Sequence, residues 1–503
     1  MLNLKRSIMK GNHFITRRWF GTFALATMST LILGSCATDG FDEDESFVRD
    51  VTNTQLLSPS ADDITITAST DGSKTVISWN IVDGAGGYNC HVLNVTDPDN
   101  PVVVKDTLMD NNTFAVTREE DANYSFSIRT LGDEKLGNTT AEDSTVVTFS
   151  TFSPSYTTIP AGTNLTEYFA QNAIPDSSDI VTYDLEGGAE YTLSDYIDFG
   201  THKVMLRCQN KTNKAKVVMA SETAGIRTAT TMTLKNLYFD YSASSEPVIT
   251  LSKDAPASIL NLLGGTNNYY VIKDGTFYIT NCEFEGVNNK FMYDNNVKYC
   301  LENFLMDNSV VHFTTNTTSI ESQAYFYYKA GFIKTLTIKN SSLYNTGSSS
   351  VKYVIQYNNS GRASRAGYNA TEPQGINFLN NTFYNLGISG GQFCNYSAFV
   401  GQSNTTFDVE SNIFVNCCVG GGGIARRILG QKTASSYKAG ATFGLNTYWA
   451  DGAAESGSES YDDSGKILTT DPALVNPDAG NLTPQGAEQL SYKTGDPRWL
   501  TAE

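Results

Sequence analysis

The sequence predicts an all-β chain: a small β-sandwich followed by a right-handed parallel β-helix. Three observations predict it. A strand-and-turn grammar returns at irregular intervals along the C-terminal two-thirds. A block of about seven short alternating strands precedes it, which is the spacing of a small sandwich. Turn-forming and aromatic residues abound, with 41 Gly and 27 Tyr in 503 residues.

The grammar is clearest at residues 376–387, INFLNNTFYNLG: an apolar alternation, an Asn, a large apolar residue three positions on, then a second polar turn. Aligned copies give an Asn column of Asn236, Asn281, Asp307, Asn340, Asn380 and Ser411. The matching apolar column is Phe239, Phe284, Val310, Leu343, Phe383 and Phe414. The steps between copies are 45, 26, 33, 40 and 31 residues. Repeats of roughly 20–50 residues mean solenoids or propellers. A lone strand cannot bury its apolar face, but copies stacked in parallel share a core and form ladders of like residues at the turn. Asn suits such a column because it tolerates left-handed backbone and its amide reaches the copies above and below. A propeller needs four strands per blade and a steadier period. On this register Phe383→Ala is expected to be costly, and a change at Asn345, in an outer turn, mild. The long stretches 286–305, 314–332, 346–374 and 418–442 read as loops between rungs, and loops of that length are functional or disordered.

From the N-terminus, residues 1–35 form a targeting leader: Lys5, Arg6, Lys10, Arg17 and Arg18 precede an apolar core from Phe20 to Leu33. That run is too short for a comfortable transmembrane helix. Residues 36–62 are an acidic linker. Residues 63–151 carry the sandwich, with strands at Ile64–Thr67, Thr75–Trp79, Asn89–Val92, Thr113–Val116 and Tyr124–Arg129. Residues 152–503 form the β-helix, opened by a capping helix over residues 164–170.

The net charge is −18, and −23 once the leader is removed. So acidic a body repels phosphates, which excludes nucleic acid as a partner. It also disfavours a polyanion unless a divalent cation bridges the two. The body has seven Cys and no Cys-x-x-Cys pair, so neither a disulfide framework nor a zinc site is indicated, and Cys282 and Cys417 read as small core residues. His91, His202 and His312 stand apart at neither triad nor metal-ligand spacing. No metal site is expected.

Two residue sets remain as functional candidates. Sugar rings pack on aromatic planes, which singles out Tyr269, Tyr270, Tyr327, Tyr328 and Trp449 as carbohydrate-binding candidates. Adjacent strand residues point to opposite faces, so one of Tyr327 and Tyr328 should face outward. A uronate lyase needs a base and a cation or Arg that neutralises the carboxylate. Arg426, Arg427 and Lys432 are the catalytic candidates under that reading, following a glycine run that lets backbone approach a ligand. Arg362 and Arg365 are a second basic group. Asp307 and Asp408 stand alone, which argues against calcium-dependent elimination; calcium enters only under the lyase or cation-bridged reading.

Several motifs carry resemblances. Leu33-Gly34-Ser35-Cys36 resembles the lipobox of bacterial lipoproteins, which implies acylation at Cys36 and a membrane partner through a lipid anchor. Thr16-Arg17-Arg18-Trp19-Phe20 resembles a twin-arginine start, and Asp39, Asp42, Glu43, Asp44 and Glu45 resemble the acidic export signal of Bacteroidota surface lipoproteins. These imply the outer membrane, facing the cell surface. Ser78-Trp79, Asp83-Gly84-Ala85 and Tyr88, with Tyr124 to Arg129 downstream, resemble a fibronectin type III module with Trp79 at its core. Asp471-Pro472-Ala473-Leu474-Val475-Asn476-Pro477 with Gly495-Asp496-Pro497-Arg498-Trp499 resembles the ending of Bacteroidota lipoproteins that pair such a module with β-helical domains related to the pectate lyase superfamily. That resemblance implies a polysaccharide partner, pectic or another plant or host glycan, and neighbouring glycan-utilisation surface proteins. Trp499 reads as a plug over the last rung. The expected function is polysaccharide binding without cofactor. A polysaccharide lyase and a structural or adhesin spacer are the alternatives.

Overall fold

The structure is a computed structural model that describes residues 51–69, 73–253, 260–262, 270–272, 275–297, 299–316, 324–358, 374–387, 393–396, 399, 404–418, 423–429 and 440–500. Cys36, Tyr269, Arg362, Arg365, Lys432 and the glycines at 420–422 lie outside these residues.

Seven strands build the N-terminal sandwich: β1 (Ile64–Ala68), β2 (Lys74–Trp79), β3 (Gly87–Asn94), β4 (Val102–Met109), β5 (Thr113–Thr117), β6 (Asn123–Leu131) and β7 (Thr145–Ser150). All pairings are antiparallel, in a β1-β2-β5 sheet and a β4-β3-β6-β7 sheet. Alternation on β2, β3 and β6 sends Ile77, Trp79, Cys90, Val92, Phe126 and Ile128 into one core, with the Trp79 ring edge-on to Tyr88 at 5.2 Å.

The rest of the chain coils through three parallel sheets. The first begins at Thr157–Ile159 and Val181–Leu185 and ends at Ala441–Gly444; the second runs from Glu190–Leu193 to Thr447–Ala450; the third runs from Ile197–Asp198 to Cys394–Asn395. Each turn of the chain as far as Cys394–Asn395 adds one strand to each sheet, and the turns after it extend the first two sheets, which is a parallel β-helix. The helix Leu165–Gln171, capped by the Asn164 side chain on Thr166 N, covers the open N-terminal end with Leu165 buried.

The Asn column holds with one correction. Left-handed backbone occurs at Asn236, Asn281, Asn308, Asn340, Asn380, Ser411 and Leu445, so the third copy turns at Asn308 and not at Asp307. The apolar column shifts with it: Phe284 pairs with Val311, which pairs with Leu343. Asn281 donates to Asn236 Oδ1 at 3.0 Å, Asn340 to Asp307 Oδ1 at 2.8 Å and Asn380 to Asn340 Oδ1 at 3.3 Å. Inside the turn lies a second ladder that sequence reading missed, one residue further on. Ser309, Ser341, Asn381, Asn412 and Asn446 are all fully buried. Asn381 Nδ2 donates to Asn412 Oδ1, and Asn412 Nδ2 to Asn446 Oδ1, both at 3.0 Å. Each buried amide meets both its donor and acceptor needs, as a buried polar group must. Inward of the column, rings stack from rung to rung: Phe239 on Phe284 and Phe383 on Phe414, both at 5.0 Å.

Three further readings are corrected. Asn345 is fully buried, accepting from Thr315 N and Gly347 N and donating to Ser349 O, so it braces the turn from inside. The stretches read as loops at 286–305, 314–332 and 346–374 carry the third-sheet strands Met292–Tyr293, Ala324–Tyr328 and Tyr353–Tyr357. These strands lack the Asn turn that marks the other two sheets. Trp499 is no plug. Residues 467–500 run back over the outer face of the second sheet, where Gly495 N bonds Ser411 O, Asp496 Oδ2 accepts from Ser342 Oγ, and Arg498 reaches Asn308. Leu482, Leu474 and Trp499 close over Tyr344, Tyr384, Ile413 and Val415, so this strap buries an apolar face that would otherwise meet water.

The two bodies meet at a charged joint. Arg207 on the first sheet, 1% exposed, donates to Asp184 Oδ1 at 2.6 Å and Ser153 O at 2.7 Å, and its guanidinium lies over Phe152. Asp121, in the turn before β6, lies 4.0 Å from Arg207 and is ion-paired with Lys235.

Candidate functional site

The second sheet's outer face is covered by the strap over its C-terminal half, and the third sheet carries a long outward column that is partly exposed, with Thr250, Tyr327 and Gln356 largely buried in it. Its outward column, in register from rung to rung, is Asp198, Arg227, Thr250, Tyr293, Tyr327, Gln356 and Asn395. Parallel pairing places these residues about 4.8 Å apart along the axis. At its N-terminal end the column opens into a cleft of about 370 Å³, lined by Tyr196, Asp198, Arg227, Glu246, Lys253, Lys290 and Tyr293 among others.

The Arg227 guanidinium lies flat on the Tyr196 ring, 3.6 Å from its centroid. Glu246 Oε2 is 3.8 Å from one terminal nitrogen, too long for a hydrogen bond. Arg227 and Tyr196 both line the cleft. Asp198 is held by Ser252 Oγ at 2.5 Å. Tyr293 and Tyr327 stack 5.9 Å apart at 6°, Lys290 Nζ sits 5.0 Å above Tyr293, and Asn358 Nδ2 donates to Tyr327 Oη at 3.0 Å. Further along, Lys352 Nζ lies 5.4 Å over Tyr353. Aromatic planes, hydroxyls and cations on one elongated face make a surface suited to a polymer of sugars.

The candidates taken from sequence are dispersed by the fold. Tyr327 faces out in this strip, 9% exposed. Tyr328 is corrected: it points into the core with no exposure, edge-on to Tyr357 and bonded to Met292 Sδ, so it meets no ligand. Tyr270 begins a short strand, and nothing of its side chain is described. Trp449 packs against the strap cluster and is half-buried under it, not part of an open platform. Arg426 and Arg427 lie on the single helical turn Ile424–Ile428, partly buried, against the third-sheet strand Cys394–Asn395. Burial lowers the pKa of Arg427. The close approach that Gly423 allows (φ 98°) is to the backbone of Gly457, where a Cβ would stand 2.8 Å from the carbonyl carbon, and not to a ligand.

Sequence reading also missed Tyr196, Arg227, Lys253, Lys290 and Tyr293. They are scattered over 98 positions from Tyr196 to Tyr293, and only the register of the third sheet gathers them. Their one signal is an aromatic or basic residue beside each short apolar pair.

Two other groups fall short of a reaction centre. Glu285 Oε1, His312 Nδ1 and Nε2, and Thr346 Oγ1 line up at 2.5 and 2.7 Å across three rungs, a carboxylate–imidazole–hydroxyl chain that the spacing did not foretell. The N–H groups after the hydroxyl are engaged, Gly347 with Asn345 Oδ1 and Ser348 with Asn316 Oδ1, so neither is poised to stabilise an oxyanion. Asp307, read as solitary, pairs with Lys339 at 3.1 Å. Asp408, on the outer face of the first sheet, has one oxygen without a hydrogen-bond partner, and burial raises its pKa. Among the described residues no group of three or more His, Cys, Asp or Glu is placed to hold a metal ion. The thiols Cys90, Cys282 and Cys417 are buried, and burial pushes each to about 12, which keeps them protonated and unreactive.

Three family models match successive stretches of the chain, each describing a domain of unknown function: DUF4992 over residues 9–190, DUF4957 over 189–346 and DUF5123 over 376–499. No curated protein matches. Among solved structures the chain is similar to the pectate lyase PelI of Erwinia chrysanthemi in complex with tetragalacturonic acid, at 10% identity over 74% of this chain and 88% of that one, with a TM-score of 0.17. It is also similar to the pectate lyase Pel3 of Pectobacterium carotovorum, at 10% identity over 72% and 85%, with a TM-score of 0.17. At such TM-scores the β-helix rests on its own sheet register and not on these likenesses.

Proposed function

We propose that this chain binds an extracellular polysaccharide along the third sheet of its β-helix, without cleaving it, at the surface of a bacterial outer membrane. The observation that carries the reading is the strip itself: Arg227 fixed on Tyr196 and the Tyr293–Tyr327 stack on one continuous outer face. The glycan is pectic, or another plant or host polymer, by the resemblance of the closing motif. Acylation at Cys36 anchors the protein, the acidic linker 36–62 lifts it from the membrane, and other glycan-utilisation surface proteins are its neighbours. The sandwich is a fibronectin type III-like spacer; three strands facing four around Trp79 support that assignment.

The test uses the mature chain with Cys36→Ala, run through affinity gels containing a panel of plant and host polysaccharides. Retardation by at least one polymer, weakened several-fold by Tyr196→Ala or Tyr293→Ala, is the expected result. Release of unsaturated oligosaccharide, abolished by Arg426→Ala or Arg427→Ala, would overturn binding without turnover in favour of a lyase. Mobility unchanged by every polymer would leave the structural spacer.

A further inference from the structure

Building on the binding reading above, we infer that the cleft at the N-terminal end of the third sheet recognises an uncharged sugar through two neighbouring hydroxyl groups, held by Asp198 and Arg227 from adjacent rungs. Asp198 and Arg227 are register partners of opposite charge, yet they form no ion pair with each other. Each is held by other groups. Asp198 Oδ1 accepts from Ser252 Oγ at 2.5 Å and from Gly200 N at 2.8 Å, while its Oδ2 accepts from none of the described residues. The Arg227 guanidinium rests on the Tyr196 ring, and its one ion-pair contact among the described residues is Glu246 at 3.8 Å. None of its N–H groups therefore has a hydrogen-bond partner among those residues. The Arg227 side chain is 29% exposed, so a ligand can reach it. Two opposite charges one rung apart, each steadied by another group and neither satisfied by its neighbour, make a pair that a ligand completes.

The chemistry of the pair selects that ligand. An ionised carboxylate only accepts hydrogen bonds and a guanidinium only donates them. A hydroxyl does both, so two adjacent hydroxyls on one sugar ring can donate to Asp198 and accept from Arg227 at once. A ligand carboxylate would find its partner in Arg227 but would face Asp198 and Glu246 across the same cleft. The cleft as a whole sets two carboxylates against three cations, Arg227, Lys253 and Lys290, so its charges nearly cancel. That balance suits an uncharged ligand, and the acidic body offers a polyanion no attraction from a distance. Tyr293 stands two rungs beyond Arg227 in the same column and also lines the cleft, where its ring can meet the C–H face of a sugar. A volume of about 370 Å³ lies within the range of small-ligand sites and accommodates a short stretch of the bound polymer.

The experiment titrates the mature chain carrying Cys36→Ala with neutral polymers that bear adjacent hydroxyls (galactan, arabinan, dextran and mannan), with the O-methylated form of each, and with polygalacturonate. At least one neutral polymer should bind more tightly than polygalacturonate, with an affinity little changed by salt. O-methylation, which keeps the rings and removes the O–H donors, should weaken it at least tenfold. Asp198→Asn and Arg227→Lys should each weaken it about tenfold, the worth of one hydrogen bond to a charged group. Asp198→Asn should leave polygalacturonate binding unchanged or tighter, a split that a general structural defect does not produce. Polygalacturonate or another polyanion bound more tightly than every neutral polymer overturns the inference and leaves polysaccharide binding intact. Neutral-polymer affinity unchanged by both substitutions, or by O-methylation, overturns it in the same way and moves the sugar contacts elsewhere on the chain. Displacement of the polymer by a free amino acid overturns it in favour of a zwitterionic ligand. Failure to bind any of these polymers, or any polymer of the wider panel, removes the binding reading and this inference together.

Discussion

Trp499 Nε1 donates to Ser342 Oγ at 2.8 Å, joining residues 157 positions apart in the chain. Ser342 in turn donates to Asp496 Oδ2 at 2.7 Å, so one serine on the second sheet pins two residues of the C-terminal strap. The strap therefore behaves as part of the core.

Shortening Trp499 tests that role. Trp499→Ala should cost about 2 kcal/mol, below the ~3–5 kcal/mol of a fully buried ring, because the side chain is only half-buried. Trp499→Phe, which loses the hydrogen bond and part of the ring but keeps an aromatic plane in the cluster, should cost about 1 kcal/mol. Denaturant melts of the two variants give the ranking. Equal, negligible losses would mean the strap is not docked in solution.

Asp496 gives the strap a pH signature. Its side chain is fully buried, and burial pushes its pKa up to about 6, although Arg498 Nε at 3.0 Å opposes the rise. Between pH 4 and 6 the folded chain holds a proton that the unfolded chain has released. This group's stabilising contribution is therefore full below about pH 4 and is withdrawn as pH rises through 6, an effect of up to about 3 kcal/mol. Asp496→Asn should flatten that component, read as the difference between wild-type and variant stability from pH 4 to 7. Parallel pH profiles would show that the carboxyl titrates normally.

In the core, Phe383→Ala should cost roughly 3–5 kcal/mol, since the ring is stacked between rungs. Asn381→Ala and Asn345→Ala should each cost about 2–3 kcal/mol, because each leaves buried partners unsatisfied. Urea titration orders the three. A negligible loss at Asn381 would mean that the inner ladder contributes little.

At the joint, Asp121→Ala removes the partner of Lys235 and a neighbour of Arg207, both nearly buried. Leaving buried cations under-compensated should cost about 3 kcal/mol. Calorimetry should also resolve separate transitions for sandwich and β-helix in the variant, and a single coupled transition in the wild type. An unchanged single transition would mean the pair does not couple them.

Cys36→Ala should release the chain from the membrane fraction, because acylation requires that thiol. Retention of the variant with membranes would count against the lipobox reading.

The sequence by itself determined the solenoid. The requirement for left-handed backbone at each turn is local, so Asn236, Asn281, Asn340 and Asn380 announce it wherever they fall, and the apolar residue three positions on follows. It also determined the sandwich core at Trp79 and the outward-inward alternation that separates Tyr327 from Tyr328. It could not count through the irregular third copy, where Asp307 and Asn308 both satisfy the pattern and only pairing of Phe284 with Val311 selects Asn308. What only the tertiary structure decided is everything that depends on stacking. Most strands of the third sheet have two or three residues, too short to carry a period of their own, and the two flanking sheets hold their ends at the rung spacing. The candidate site lies on that sheet, so Arg227, Lys253, Lys290 and Tyr293 could not be seen as neighbours before it was assembled. Asn345 went inside and Trp499 folded back for the same reason: burial is a property of what lies on the next rung or across the sheet, and no window of sequence contains it.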